Sequence, residues 1–319
     1  MNSKIYFKKL TLQTENNTMK NIFYYLTVIF GMLMFSSCVP NIDENGDFLH
    51  GVEFDPTTTT PGTEGPGTTP TKLLKKVTID DEGDVLVYTY TYNADKKLTG
   101  VSTDDGSIKI NITYQTSGNI SKIVRTENSL GAITSEEIVP VYTNNQITKL
   151  NVTHTESTGS IKSVADVTYA SNGWPSSVKE QVYNEDNTKV VANFASTLSY
   201  TGNNISKWNF KSSFVIGLPV PVFDFLQEIE LTINLSDYDN KINPYNLLPK
   251  DFLISTIHAE ADASSISGFA KNNSGKIHAV LDLGGSSGED TQTATFVYDK
   301  DGYPTSVTST DIVTKFEYQ

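Results

Sequence analysis

The sequence has almost no cysteine, with Cys38 alone among 319 residues. One thiol excludes an intramolecular disulfide framework and a metal site built from cysteines. Basic residues are also scarce: 24 Lys and Arg stand against 37 Asp and Glu, for a formal net charge of −13. No cluster of basic and aromatic residues follows Cys38, so the electrostatic footprint of a nucleic-acid binder is missing. We therefore expect a soluble acidic protein that does not bind nucleic acid.

The apolar stretch Ile22–Phe35 is too short for a stable transmembrane helix. Lys20 precedes it and Ser36-Ser37-Cys38 follows it, which is the order of an export signal. Small residues directly before a lone cysteine resemble a lipobox, although Phe35 stands where leucine is usual. This resemblance implies cleavage before Cys38 and acylation of that residue. A cysteine buried in an N-terminal core helix is the alternative.

These features divide the chain into three parts. Residues 1–37 are interpreted as the signal segment, with Met19 as the true start. Residues 38–71 hold the lipidated Cys38 and a Thr/Pro/Gly-rich tether without apolar periodicity. Several acyl chains make a stable anchor, so the membrane is an expected partner. Asp43-Glu44 resembles the sorting signals of Bacteroidetes surface lipoproteins, which predicts a surface-exposed outer-membrane lipoprotein in the cell envelope.

Residues 72–319 show the two-residue alternation of half-buried strands. Ile108, Ile110, Ile112 and Tyr114 fall on one face, and the same pattern covers 229–235 and 86–92. One short helix is expected at Pro249–Ile254, with proline at its first position.

An internal repeat governs the β region: an aromatic residue, a turn, an apolar residue, a short gap and a second apolar residue. The tyrosine should end one strand on its buried face, and the apolar residue should re-enter the core after the turn. Six copies begin at Tyr92, Tyr114, Tyr142, Tyr169, Tyr200 and Tyr298, and a degenerate copy begins at Tyr238.

The repeat resembles the YD repeats of RHS-type proteins, with looser spacing. It is more similar to Bacteroidetes lipoproteins of unknown function with a porin-like β fold, which also have a motif like Tyr238-Asp-Asn-Lys-Ile-Asn-Pro-Tyr245. The resemblance covers about residues 72–319 and brings no known activity. We expect an all-β fold: one large antiparallel meander of hairpins, curled toward a barrel because an open meander exposes two edges. Two sandwiches are the alternative.

Candidate chemistry is sparse. Strand alternation would place His258, Glu260 and Asp262 on one face, as a weak metal or acid–base candidate, but no second histidine follows at a known ligand spacing. We therefore predict no metal site there, no catalytic residues and no cofactor. Asp299-Lys-Asp301-Gly302 lacks the later glutamate of a calcium loop and is expected to be a turn, as is Asp80–Asp84.

No motif identifies a reaction, and a binding, display or structural role is favoured over an enzyme. The expected partner is a glycan or another envelope protein, and the alternative function is a secreted-type glycan hydrolase, whose carboxylates can lie far apart in sequence. The two tryptophans, Trp174 and Trp208, occupy apolar positions of the repeat. They are predicted to be core residues, not platforms that stack on sugars.

Overall fold

The computed structural model describes residues 71–129, 132–214, 228–258, 266–282, 287–310 and 312–319. The signal segment, Cys38 and the tether lie outside these residues. Within the described part, no helix combines the length and the apolar character needed to cross a membrane.

Sixteen strands make up nearly all of the described chain. The first eight are β1 Leu74–Asp81, β2 Asp84–Tyr92, β3 Leu98–Thr103, β4 Ile108–Tyr114, β5 Ile120–Ser129, β6 Ala132–Thr143, β7 Gln146–Glu156 and β8 Gly159–Tyr169. The second eight are β9 Pro175–Tyr183, β10 Val190–Thr201, β11 Asn204–Phe214, β12 Glu228–Tyr238, β13 Ser274–Asp282, β14 Ser287–Tyr298, β15 Pro304–Ser309 and β16 Ile312–Tyr318. A 3₁₀ turn at Tyr245–Leu247 and the helix α1 at Lys250–Ser255 lie between β12 and β13.

The strands form one closed barrel in sequence order, and every neighbouring pair is antiparallel. Strand β1 closes the barrel by pairing with β16, in a register that places Val77 opposite Phe316. The predicted antiparallel meander curled toward a barrel is therefore confirmed, and the alternative of two sandwiches is wrong. Closure removes both exposed edges of the meander.

The two faces of the barrel wall differ in polarity. Ile112, Ile123 and Ile138 are aligned across β4, β5 and β6, and all three are buried. On β4 the alternate positions Lys109, Asn111 and Thr113 are exposed. The inner face is thus mainly apolar and the outer face mainly polar, as the alternation in β4 predicts.

A ring of tyrosine hydroxyls closes one end of the barrel. Each even-numbered strand has a half-buried tyrosine as its last or second-to-last residue. In seven of the eight cases the tyrosine hydroxyl donates to the backbone at the beginning of the preceding strand. The pairs are Tyr92 with Leu74, Tyr114 with Leu98, Tyr142 with Ile120, Tyr169 with Ile147, Tyr200 with Pro175, Tyr238 with Ile205 and Tyr318 with Pro304. We call this end the tyrosine rim and the other end the opposite rim.

Burial raises the pKa of these phenols: that of Tyr92 to about 12, with the neighbouring Tyr114 adding to the effect, and that of Tyr169 to about 12, with Asp251 adding to it. They are therefore neutral hydrogen-bond donors at physiological pH. The eighth tyrosine, Tyr298, donates to the carboxylate of Asp239.

The segment between β12 and β13 fills the barrel from the tyrosine rim. We call its described residues, 239–258 and 266–273, the plug. Its buried apolar side chains belong to the same core as the wall: Leu248, Phe252, Leu253, Ile254, Ile257, Ile266 and Phe269. A barrel of 16 strands is too wide for its own wall side chains to fill. The plug supplies the missing volume.

The plug contacts the wall on several sides. The ring of Tyr245 meets that of Phe316 at 5.9 Å between centroids, and that of Phe269 meets Trp174 at 5.4 Å. Asp251 accepts a hydrogen bond from Tyr142 at 3.0 Å. The short helix expected after Pro249 is present as α1, which the proline precedes.

Candidate functional site

The plug places His258 against a buried carboxylate of the wall. The Nε2 atom of His258 lies 3.4 Å from Oε2 of Glu136, and the two residues are 5% and 8% exposed. Glu136 is six residues before Tyr142 on β6, so it lies roughly 20 Å along the strand from the tyrosine rim. The plug thus reaches deep into the barrel. His258, the last residue of its first described part, forms an ionisable pair with Glu136 of the wall.

Two further donors flank Glu136 on the inner face. The cross-strand partner of Glu136 on β5 is Arg125, and its partner on β7 is His154. Arg125 is the only arginine in the chain. It forms an ion pair with Glu127, while His154 Nε2 lies 3.2 Å from Glu156 Oε1. The inner wall of β5–β7 therefore carries alternating acidic and basic groups.

The pKa of Glu136 reflects two opposed effects. Burial by itself would raise it, because an apolar surrounding disfavours the ionised carboxylate. The charge and hydrogen bond of His258, followed by the charges of Arg125 and His154, hold the pKa below its usual range. Glu136 is consequently an ionised acceptor at neutral pH.

A small recess lies beside this group, lined by Arg125, Glu127, Thr134, Glu136, His154 and Ser135. Its volume is about 10 Å³, enough for roughly one water molecule. Elsewhere on the inner face, Ser163 on β8 donates to Glu180 on β9, and both residues are buried. The described interior thus offers hydrogen-bonding groups for water or the tip of a polar ligand.

The sequence-predicted candidates are placed as follows. His258 is buried after α1 and is not on a strand, so the prediction of a shared strand face is wrong at this residue. The reason is that the plug interrupts the meander here with a short helix. Glu260 and Asp262 lie outside the described residues. Among the residues that are described, no group of three His, Cys, Asp or Glu side chains is arranged to hold a metal ion.

The tryptophans differ from each other. Trp208 is 1% exposed and its Nε1 donates to Ser196 Oγ at 3.1 Å, so the prediction of a core residue is confirmed. Trp174 is half-buried at the tyrosine rim, where its ring packs against Phe269 and lies under Lys250, 5.1 Å from its Nζ. Trp174 thus lies at the contact between the plug and the barrel wall.

The acidic turns agree with the prediction. Glu82 and Gly83 turn between β1 and β2 with positive φ, and Asp299–Gly302 turns between β14 and β15. Asp299 and Asp301 both bind Lys72 Nζ, at 2.6 and 3.0 Å. The motif that begins at Tyr238 anchors the plug, because Asn243 Nδ2 donates to the carbonyls of Ser267 and Ala270.

Sequence reasoning missed Glu136 and its flanking groups. The only local signal was the interruption of apolar alternation by charge at Arg125, Glu136 and His154, on three neighbouring strands. Without the register of the strands, these residues could not be aligned.

No family model and no curated protein matches the chain. A porin-like protein from Bacteroides vulgatus has a similar structure, with a TM-score of 0.51, 10% identity, and coverage of 78% of this chain and 99% of the other. A second porin-like protein, from Bacteroides uniformis, has a TM-score of 0.47 and 16% identity over 80% of this chain and 100% of its own. At these sequence identities, structural similarity is evidence for the fold alone, and the assignment of the fold uses the first of the two structures. The chain accordingly has the porin-like β fold of Bacteroides proteins, as the sequence resemblance implies.

Proposed function

We propose that this protein is an envelope lipoprotein whose plugged barrel stands in water and binds or displays, and that it does not act as a channel. One observation supports the proposal above all: the outer wall is polar. A transmembrane barrel carries an outward apolar band about 25 Å tall, bordered by aromatic girdles, around a polar interior. This barrel has the reverse arrangement.

The exposed outer positions illustrate the reversal. Thr291, Thr293 and Thr295 follow one another on β14, and Lys109, Lys162 and Lys179 stand on β4, β8 and β9. A lysine facing lipid near the midplane costs roughly 2–4 kcal/mol. Exposed outer apolar residues occur singly, at Val85, Ile133, Val141 and Val297. Such isolated residues are ordinary on a water-facing surface.

The interior also argues against conduction. The plug fills the lumen at the tyrosine rim with fully buried side chains, among them Ile257, Ile266 and Phe269. Ions would have to cross this apolar packing. Membrane association is therefore assigned to acylation of Cys38 and to the tether, and no observation in the described part of the chain favours the hydrolase alternative.

A conductance experiment tests the proposal. The purified protein, added to planar bilayers at increasing concentration, should produce no stepwise conductance, with a trimeric general porin as positive control. Reproducible single-channel steps would contradict it. A panel of glycans, with thermal melting as the readout, tests the proposal of ligand binding. A glycan that binds in the barrel interior should raise the melting temperature of the parent but not that of Glu136→Gln. Glu137→Gln, on the outer face of the same strand, is the control and should still be stabilised.

A further inference from the structure

The described chain enters the barrel at the tyrosine rim and is fixed there. The backbone amides of Thr71 and Lys72 donate to the hydroxyl of Tyr303 at 2.8 and 3.2 Å. Lys72 Nζ binds Asp299 and Asp301 and lies 4.7 Å from the centre of the Tyr303 ring. Leu73 pairs with Gln319 through two backbone hydrogen bonds. Thr71, the first described residue, therefore lies at this rim and not at the opposite one.

The two rims differ in charge among the described residues. At the tyrosine rim, most carboxylates are engaged: Asp239 accepts from Tyr298, Asp251 from Tyr142, and Asp299 binds Lys72. Asp95 and Asp237 are exposed, and Asp301 is exposed but binds Lys72. The same rim bears exposed lysines in its turns and in the plug: Lys96, Lys241, Lys250, Lys271 and Lys300.

The opposite rim is acidic. Its exposed carboxylates are Glu82, Asp84, Asp104, Asp105, Glu185, Asp186, Glu228, Asp282 and Glu289. Two exposed bases accompany them among the described residues: Lys189 in the turn before β10 and Lys109 at the second residue of β4. The strands have 6 to 12 residues, which corresponds to roughly 20–40 Å between the rims along the strand direction. At physiological ionic strength the Debye length is about 8 Å, so each rim acts on its surroundings nearly independently of the other.

We propose that the tyrosine rim is the membrane-facing surface, that its lysines dock on anionic lipid headgroups, and that the acidic rim points away from the membrane. The inference rests on the proposed attachment through Cys38. With the tyrosine rim down, the exposed lysines lie within a Debye length of the headgroup phosphates. The opposite orientation would press the carboxylates against like charge. A tether of this length permits both orientations, so we infer the orientation from the charges of the two rims.

Energy transfer measures this orientation. The mature full chain is coupled through the thiol of unacylated Cys38, its only cysteine, to a maleimide lipid. A donor dye is attached at an azide-bearing residue in place of either Ser117, exposed at the tyrosine rim, or Thr158, exposed at the opposite rim. Acceptor dye sits on the headgroups. On phosphatidylcholine vesicles that contain phosphatidylglycerol, transfer from position 117 should be several-fold higher than from 158.

Two comparisons make the result decisive. Replacing Lys96, Lys241, Lys271 and Lys300 by Gln should reduce the difference between the two positions, as should vesicles of phosphatidylcholine alone or high salt. The matched control replaces Lys162, Lys179, Lys211 and Lys315 in the wall by Gln and should keep the difference. Equal transfer from both positions, or a difference that ignores lipid charge, would overturn the proposal. Because the coupling is chemical, failure of acylation in cells does not affect this outcome.

Discussion

The hydroxyl of Tyr142 shares its hydrogen between the carbonyl oxygen of Ile120, at 3.1 Å, and the carboxylate of Asp251, at 3.0 Å. Ile120 begins β5 and Tyr142 approaches the end of β6, so the bond joins the two open ends of one hairpin. Six more hairpins have the same bond. The repeated tyrosine in the sequence is thus the residue that closes each hairpin at the rim where the hairpin has no turn.

Removing one such hydroxyl should destabilise the barrel modestly. Tyr114→Phe leaves the carbonyl of Leu98 without its 2.7 Å donor, a loss of about 1 kcal/mol in the free energy of unfolding for a net hydrogen bond. Urea unfolding followed by circular dichroism measures the change. Tyr183→Phe, which removes a hydroxyl outside this ring, is the control and should unfold like the parent. A urea midpoint for Tyr114→Phe identical to that of the parent would show that this tyrosine hydroxyl contributes nothing to the stability of the barrel.

The two tryptophans should respond unequally to truncation. Trp208→Ala removes a fully buried ring and its bond to Ser196, and should cost about 3–5 kcal/mol. Trp174→Ala should cost less because the ring is half-buried. Iodide should quench Trp174 in the Trp208→Phe variant more than it quenches Trp208 in Trp174→Phe. Equal quenching and equal losses of stability would be inconsistent with the packing described above.

Much of the wall was predictable because its determinants are local. Tyr92 and Leu98 are separated by a turn that includes Lys96 at positive φ, and both point inward as the repeat predicts. The period of two places Ile108, Ile110 and Ile112 on the inner face for the same reason. Such features depend on neighbours in the sequence, which the sequence displays directly.

The register in which the barrel closes and the position of the plug depend on distant residues and could not be predicted from local patterns. Val77 pairs with Phe316 across the length of the chain, and nothing near either residue encodes that contact. His258 meets Glu136 only because the plug enters a lumen that exists after closure. The apolar run around α1 is compatible with many partners. The candidate site was therefore beyond local pattern reasoning.

The buried carboxylate predicts an effect of pH on stability. The folded-state pKa of Glu136 lies below its ordinary value of 4.5, so its ionised form stabilises the fold fully above that pH. This contribution is lost as the pH falls through the folded-state pKa. Glu136→Gln should be less stable than the parent at neutral pH, and this difference in stability should become smaller in acid. Thermal melts from pH 7 to pH 3 measure it, with Glu137→Gln as control. A difference in stability that is absent, or that does not change with pH, would contradict the ion pair between Glu136 and His258.

The lipid anchor is tested separately. Cys38→Ala should abolish acylation and leave the signal segment uncleaved by the lipoprotein peptidase, because the thiol is the acylated atom. Metabolic labelling with an alkyne palmitate analogue reads the acylation, and a labelled Cys38→Ala protein would refute the assignment. Ser37→Ala, which keeps a small residue before the cysteine, is the control and should remain labelled.

The barrel wall is proposed to face water on its outside. The most direct measurement is the mass of the unacylated mature protein, Cys38→Ser, in buffer without detergent, determined by light scattering behind size exclusion. A wall that faces water should give one sharp species of defined mass that keeps its β-sheet circular dichroism. Aggregation that only detergent relieves, with detergent bound as a belt around the purified barrel, would show instead that the wall faces lipid.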